Sequence, residues 1–282
     1  MKAKNKNLDL MTTSNLVDLV LQEEQKTINS LKKEKINIAK AINTIIKKLQ
    51  NGGRVIYIGA GTSGRLGILD AVECKPTFST DLFLGLMAGG KDAVFKAKEG
   101  AEDNSKQSIK DLKKLKINKT DVIVGISASG ETPYTVSAVK YAKKIKATTV
   151  SITSNPKSTL SKITSHKISP QISEEIISGS SRLRSGTAQK IILNMLSSIS
   201  MIKGGKVYKN LMIDVQPTNE KLIKRAIRII SIICKVSLNK ASLLFNKAKK
   251  DTKAAIVMHF KDCDFETAKK LLLKANLRQL IG

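Results

Sequence analysis

The chain of 282 residues is 41% hydrophobic and 26% charged, proportions that exclude gross disorder and suffice for a real core. Lys and Arg total 50 against 23 Asp and Glu, a formal net charge of +27, which raises the question of a polyanionic partner. Only seven of those 50 are Arg, and four Tyr, six Phe and no Trp leave little to stack on bases, so the composition predicts a solvated lysine-rich surface and no specific nucleic-acid partner. From Asn15 to Gln50 apolar residues recur at helical spacing and predict one long helix, stopped by Asn51-Gly52-Gly53. Val55 to Ile58 reads as a buried strand running into Gly59-Ala60-Gly61-Thr62-Ser63-Gly64, with a helix from Arg65 to Cys74. Leu82 to Ala88 is a second strand, followed by helical stretches from Asp92 and around Asn104. Asp121 to Ile126 is a third strand and meets Ser127-Ala128-Ser129-Gly130-Glu131-Thr132-Pro133, ahead of a helix from Tyr134 to Ile145. Thr148 to Ile152, a short strand near His166 to Ser169, and a helix from Thr187 to about Ile202 complete the alternation.

Strands alternating with helices imply parallel pairing and right-handed crossovers, hence an α/β fold with an open parallel sheet sandwiched by helices. After Thr218 the pattern is helical only, roughly 219–235, 239–249, 252–260 and 265–275. The expected organisation is an N-terminal helical segment over 1–50, an α/β domain over 51–217 and a small all-helical C-terminal module over 218–282. Cys74, Cys234 and Cys263 lie far apart with no C-x-x-C pair, which fits a reducing, cytoplasmic setting. His166 and His259 are remote from them and from each other, so no metal is expected. No apolar run reaches the ~18–20 residues of a membrane span, and the opening MKAKNKNLDLMTT lacks an apolar signal core.

Two strand ends carry the same device, a Gly/Ser/Thr loop opening onto a helix. Glycines admit the close approach of an anion, hydroxyls and amides donate to it, and the helix N-terminus favours negative charge. Gly59-x-Gly61-x-x-Gly64 also fits a dinucleotide fingerprint, but Asp81, 17 residues past Gly64, precedes a strand instead of ending one. No Gly-Lys-Ser/Thr follows, which excludes a P-loop. Hydroxyls inside both loops favour a phosphate monoester.

Those loops resemble the ones that hold phosphosugars in sugar isomerase (SIS) domains. Read with Gly59–Pro76 (GAGTSGRLGILDAVECKP), Glu99–Asn104 (EGAEDN), Ser127–Tyr134 (SASGETPY), Ser178–Lys190 (SGSSRLRSGTAQK), Asn210–Val215 and Thr218–Leu222, the chain is similar over nearly its whole length to the N-acetylmuramic acid 6-phosphate etherase family. The resemblance implies an SIS fold, a phosphorylated amino sugar substrate, a homodimer, and cleavage of a D-lactyl ether to N-acetylglucosamine 6-phosphate and D-lactate with neither cofactor nor metal. It places Gly61, Thr62, Ser63, Ser127, Ser129, Gly130 and Thr132 on the phosphate, and Ser180, Ser181 and Arg182 on the sugar or its lactyl carboxylate. The family's two catalytic glutamates fall on Glu73 and Glu102. Such an ether at C3 lies β to the open-chain aldehyde, so a base at C2 and an acid at the leaving oxygen complete an elimination. Val72 and Cys74 flank Glu73, and an apolar setting there would raise its pKa and suit the acid role, with Glu102 as base. Arg184, where a Lys is usual, and Glu131, where a basic residue is common, depart from the family pattern, and the expected N-terminal Thr-Glu-x-x-Asn motif is not evident. A phosphosugar isomerase of the same fold and a non-catalytic phosphosugar sensor remain alternatives at this stage.

Overall fold

A computed structural model describes residues 7–172, 174–214, 217 and 219–282. Residues 1–6, Val215 and Thr218, which the sequence reading included, lie outside the described residues. The chain forms two compact units, one of residues 1–72 and 82–197, the other of 73–81 and 198–282.

The first unit opens with α1 (Thr13–Lys33) and α2 (Lys35–Gln50). The single helix expected from the spacing is broken at Glu34 (φ −87°, ψ 2°). Its carboxylate accepts from Asn37 Nδ2 at 2.9 Å and from the amide of Ser169 at 3.2 Å, a long-range partner that apolar periodicity does not register. There follow β1 (Val55–Gly59), α3 (Gly61–Phe78), β2 (Phe83–Met87), α4 (Asp92–Phe95), a 3-10 turn at Ala101–Asp103, and α5 (Ser105–Lys114). Next come β3 (Val122–Ile126), α6 (Pro133–Lys144), β4 (Thr148–Ile152), α7 (Thr159–Ile163), β5 (His166–Ile168) and α8 (Arg184–Lys203). The five strands are parallel in the order β2-β1-β3-β4-β5. β1 and β3 are buried at every position, as strands covered on both faces must be, which is why they read as unbroken apolar runs.

In that order the crossovers from β1 and β3 leave in opposite directions, so the sheet's switch point lies between them, where open α/β sheets bind ligands. Register pairs Gly59 with Ile126, so the two hydroxyl-rich loops leave the sheet side by side, about 4.8 Å apart. At the other end of the same strands Arg54 Nε and Nη2 donate to Asp121 Oδ1 and Oδ2 at 3.1 and 2.8 Å. The amides of Arg54 and Asn118 donate to the same carboxylate, each at 3.0 Å.

The second unit holds the end of α3, the last part of α8, a hairpin of β6 (Val207–Tyr208) with β7 (Leu211–Met212), and five helices: α9 (Glu220–Cys234), α10 (Leu238–Lys247), α11 (Thr252–Lys261), α12 (Phe265–Lys274) and α13 (Leu277–Ile281). Ala226, Ile229, Ile230 and Cys234 make the inner stripe of α9 and pack with Phe245, Ile256 and Leu277. Side chains of Asn219, Ser237, Asp251, Asp264 and Asn276 cap α9 to α13 in turn, each cap worth ~1 kcal/mol. Among the described residues no helix is long and apolar enough to cross a membrane, and no three His, Cys, Asp or Glu are grouped to hold a metal.

Candidate phosphosugar site

The loop after β3 is a built cluster of hydroxyls. Ser127, 3% exposed, places its Oγ 2.8 Å from Thr132 Oγ1 and 3.3 Å from Ser129 Oγ, and accepts the amide of Gly130 at 3.0 Å. Ser129 Oγ accepts the amide of Glu131 at 3.2 Å. Thr132 is the N-cap of α6 yet makes no side-chain cap bond, because its hydroxyl is turned to Ser127, while Pro133 starts the helix. Gly130 has φ +72°, and a Cβ there would overlap the Ser158 side chain and lie 2.8 Å from Thr153 Oγ1; only glycine lets the loop close down on the β4–α7 turn. Tyr134, fully buried at the start of α6, donates to Asp111 Oδ2 at 2.8 Å and ties that helix to α5. Burial and the neighbouring carboxylate push its phenol up and keep it protonated.

The loop after β1 is largely helix. α3 begins at Gly61 (φ +51°), four residues before the expected start, so Thr62 and Ser63 are first-turn residues whose amides have no intrahelical acceptor. A Cβ on Gly64 would come 2.6 Å from Met87 Cβ and 2.8 Å from Gly59 O, which explains the glycine where helix and strand cross. Ser63 Oγ donates to Gln189 Oε1 of α8 at 2.9 Å. One side of α3 is held to α8 by Asp70, whose Oδ1 accepts from Asn194 Nδ2 and Ser197 Oγ, each at 3.1 Å. Burial pushes the Asp70 carboxyl up, partly offset by bonds from Tyr57, Ser197 and Asn194. Arg65 is spent elsewhere, donating to the carbonyls of Val94 and Ala93 at 2.9 and 2.7 Å.

Glu131 does not face the loop's interior. Its Oε1 accepts the amide of Thr159 at 2.8 Å, and the bonds from Thr159 hold the carboxyl below the usual carboxylate range. The charge thus caps α7 instead of repelling an anion. Arg184, the other departure, is 5% exposed. Its guanidinium donates to Thr27 Oγ1 at 3.1 Å and to Glu174 O at 2.6 Å, and lies 3.1 Å from Glu23. It therefore ties α1 to the start of α8. Helix α8 begins at Arg184, three residues before the expected Thr187, because the Glu175 carboxylate accepts the amides of Arg184 and Ser185 at 2.8 and 2.9 Å. Ser180, Ser181 and Arg182 form the turn just before it, Ser180 half-buried and the other two exposed.

The two glutamates lie in different units. Glu102 sits in the 3-10 turn that packs against α6, and Glu73 lies past the boundary within α3. Both are exposed. The apolar enclosure expected around Glu73 is absent in the single chain: Cys74 is buried, but Val72 is 61% exposed and points away from the core with it. The residue that sequence reasoning passed over is Gln189, a polar side chain 3% exposed among Ala188, Ile192 and Leu193. A lone amide on the apolar face of a helix was its one signal.

The glucokinase regulatory protein N-terminal SIS domain family matches residues 37–143, and the SIS domain family matches residues 102–199. A phosphoheptose isomerase from Francisella tularensis has the same fold, with a TM-score of 0.53 at 19% identity over 67% of this chain and 98% of that one. N-acetylmuramic acid 6-phosphate etherase of Francisella philomiragia is 47% identical over 272 residues, 96% of this chain and 92% of the relative. The protein of that name from Clostridium botulinum strain Loch Maree is 47% identical over 95% of this chain and 90% of its own length. With a five-stranded SIS sheet, two hydroxyl loops at its switch point and identity at that level along nearly the whole chain, the protein belongs to the N-acetylmuramic acid 6-phosphate etherase family.

Proposed function

We propose that the chain cleaves the D-lactyl ether of N-acetylmuramic acid 6-phosphate. The observation that carries the reading is the paired cradle at the switch point, where Ser127, Ser129 and Thr132, in the loop that Gly130 closes, stand beside the first turn of α3 with Thr62 and Ser63. These groups hold the 6-phosphate and fix the sugar. Glu102 takes the C2 proton of the open-chain aldehyde, the C3–O bond breaks, and Glu73 supplies the proton that leaves with lactate. Water then adds to C3 of the unsaturated aldehyde while a proton returns to C2, giving N-acetylglucosamine 6-phosphate. Ser180, Ser181 and Arg182 meet the sugar or the lactyl carboxylate.

Ser129→Ala tests the cradle. Loss of one charge-assisted bond, worth roughly 1.5–3 kcal/mol, should raise KM for the 6-phosphate and lower kcat much less. Equal binding of phosphorylated and unphosphorylated sugar by the parent chain would overturn the cradle's role.

The protein acts as a homodimer in this reading, and α3 suggests why. Leu69, Val72 and Glu73 share one helix face at i, i+3 and i+4, and Leu69 and Val72 are 51% and 61% exposed. A second copy laid over them covers Glu73 as well. Val72→Glu should then sediment as a monomer with impaired lactate release. A parent chain that is monomeric and fully active would remove the dimer from the account.

A further inference from the structure

Gln189 presents two unsatisfied features at once. Its Nε2 is buried and has no hydrogen-bond partner, an arrangement that costs about 1–3 kcal/mol. Its Oε1 meanwhile accepts the only hydrogen of the Ser63 hydroxyl at 2.9 Å. A serine hydroxyl has one hydrogen and two lone pairs, so in this state Ser63 offers lone pairs to the space before the loop, the wrong polarity for an anion. A half-turn of the carboxamide about its last side-chain bond removes both features. Nε2 then donates to Ser63 Oγ, the serine hydrogen is released, and the orphan becomes a carbonyl oxygen, which is tolerated better than an orphan N–H. Its neighbours along the same face of α8, Ala188, Ile192 and Leu193, are apolar and buried.

We propose that Gln189 is a positioning residue that sets the direction of the Ser63 hydrogen: with its carboxamide turned so that Nε2 donates to Ser63 Oγ, Ser63 is left a donor to a bound phosphate. The proposal rests on the phosphate reading of the first loop. Gln189 does not touch the phosphate; its effect passes through Ser63.

The test is binding of N-acetylglucosamine 6-phosphate by calorimetry to the parent, Gln189→Met, Gln189→Glu, Ser63→Ala and the Ser63→Ala/Gln189→Met double variant. Methionine cannot donate, and should weaken binding about tenfold, the loss of one ordinary hydrogen bond. Glutamate keeps the shape of Gln189, and measured at a pH where its carboxylate is ionised it only accepts, so it holds the serine hydrogen and should weaken binding by more than Met does. In the Ser63→Ala background the Met substitution should add little, because the group it acts through is gone. A merely structural role would lower thermal stability and weaken binding by the same factor with or without Ser63, and that additivity would overturn the proposal. Parental affinity in Gln189→Glu would overturn it as well, and this comparison stands even where the Met variant fails to fold. If the parent chain does not distinguish N-acetylglucosamine 6-phosphate from N-acetylglucosamine, the phosphate reading itself fails and Gln189 falls with it. Intact discrimination with additive variants removes Gln189 alone.

Discussion

Replacing Glu102 by Gln should abolish lactate release and, with it, exchange of the C2 proton of N-acetylglucosamine 6-phosphate in deuterated water. The reverse path begins with the same deprotonation, so an amide at the base position blocks both. Glu73→Gln should behave differently. It cannot protonate the departing lactate oxygen, so ether cleavage drops by the ~10²–10⁴ of a lost general acid while some C2 exchange persists. A substrate with fluoride at C3 carries a leaving group that needs no proton. It should recover much of the rate in Glu73→Gln and none in Glu102→Gln. The opposite pattern exchanges the two roles, and near-parental release in both variants removes the pair from the mechanism.

Asp121→Asn should cost about 1.5–3 kcal/mol of unfolding free energy at neutral pH, the loss of charge-assisted bonds between a buried carboxylate and a partly exposed arginine. Asp121 is 1% exposed and accepts four hydrogen bonds on two oxygens, two from the Arg54 guanidinium and one each from the amides of Arg54 and Asn118, with the Arg54 side chain also bonded to Leu115 O at 3.1 Å. Burial alone would push the carboxyl up, but the Arg54 guanidinium and the amides outweigh it and hold it below the ordinary carboxylate value. A folded-state value lowered in this way adds stability that is complete above the unfolded value of about 3.9 and is lost as pH falls through the folded one. The difference between parent and variant in urea unfolding should therefore be largest near neutrality and shrink in acid. Because the pair lies at the strand ends opposite the loops, KM should not change. A variant as stable as the parent at neutral pH would show that the pair holds nothing together.

The centre of the sheet was legible because β1 and β3 are buried at every position and each apolar run is closed by a Gly/Ser loop. The two hydroxyl-rich loops were legible for the same reason, since Ser127 to Thr132 and Gly61 to Ser63 follow strands directly. What periodicity could not show depends on partners distant in sequence. The break at Glu34 answers to Ser169, and the early start of α8 answers to Glu175. Glu131 looked like a misplaced charge and is a cap for the amide of Thr159. The β6–β7 hairpin has two-residue strands, too short for alternation to register, and α13 is a single capped turn. Val72 and Cys74 both flank Glu73 in sequence, but only Cys74 faces inward.

Breaking of the C3–O bond by elimination is tested most directly by isotope tracing. The parent protein, given N-acetylmuramic acid 6-phosphate in water enriched in both oxygen-18 and deuterium, should release lactate that keeps its original ether oxygen, and should yield N-acetylglucosamine 6-phosphate with oxygen-18 at C3 and deuterium at C2. Oxygen-18 in the lactate, or product labelled at C3 without deuterium at C2, would mean that the ether is opened by substitution and would contradict the account.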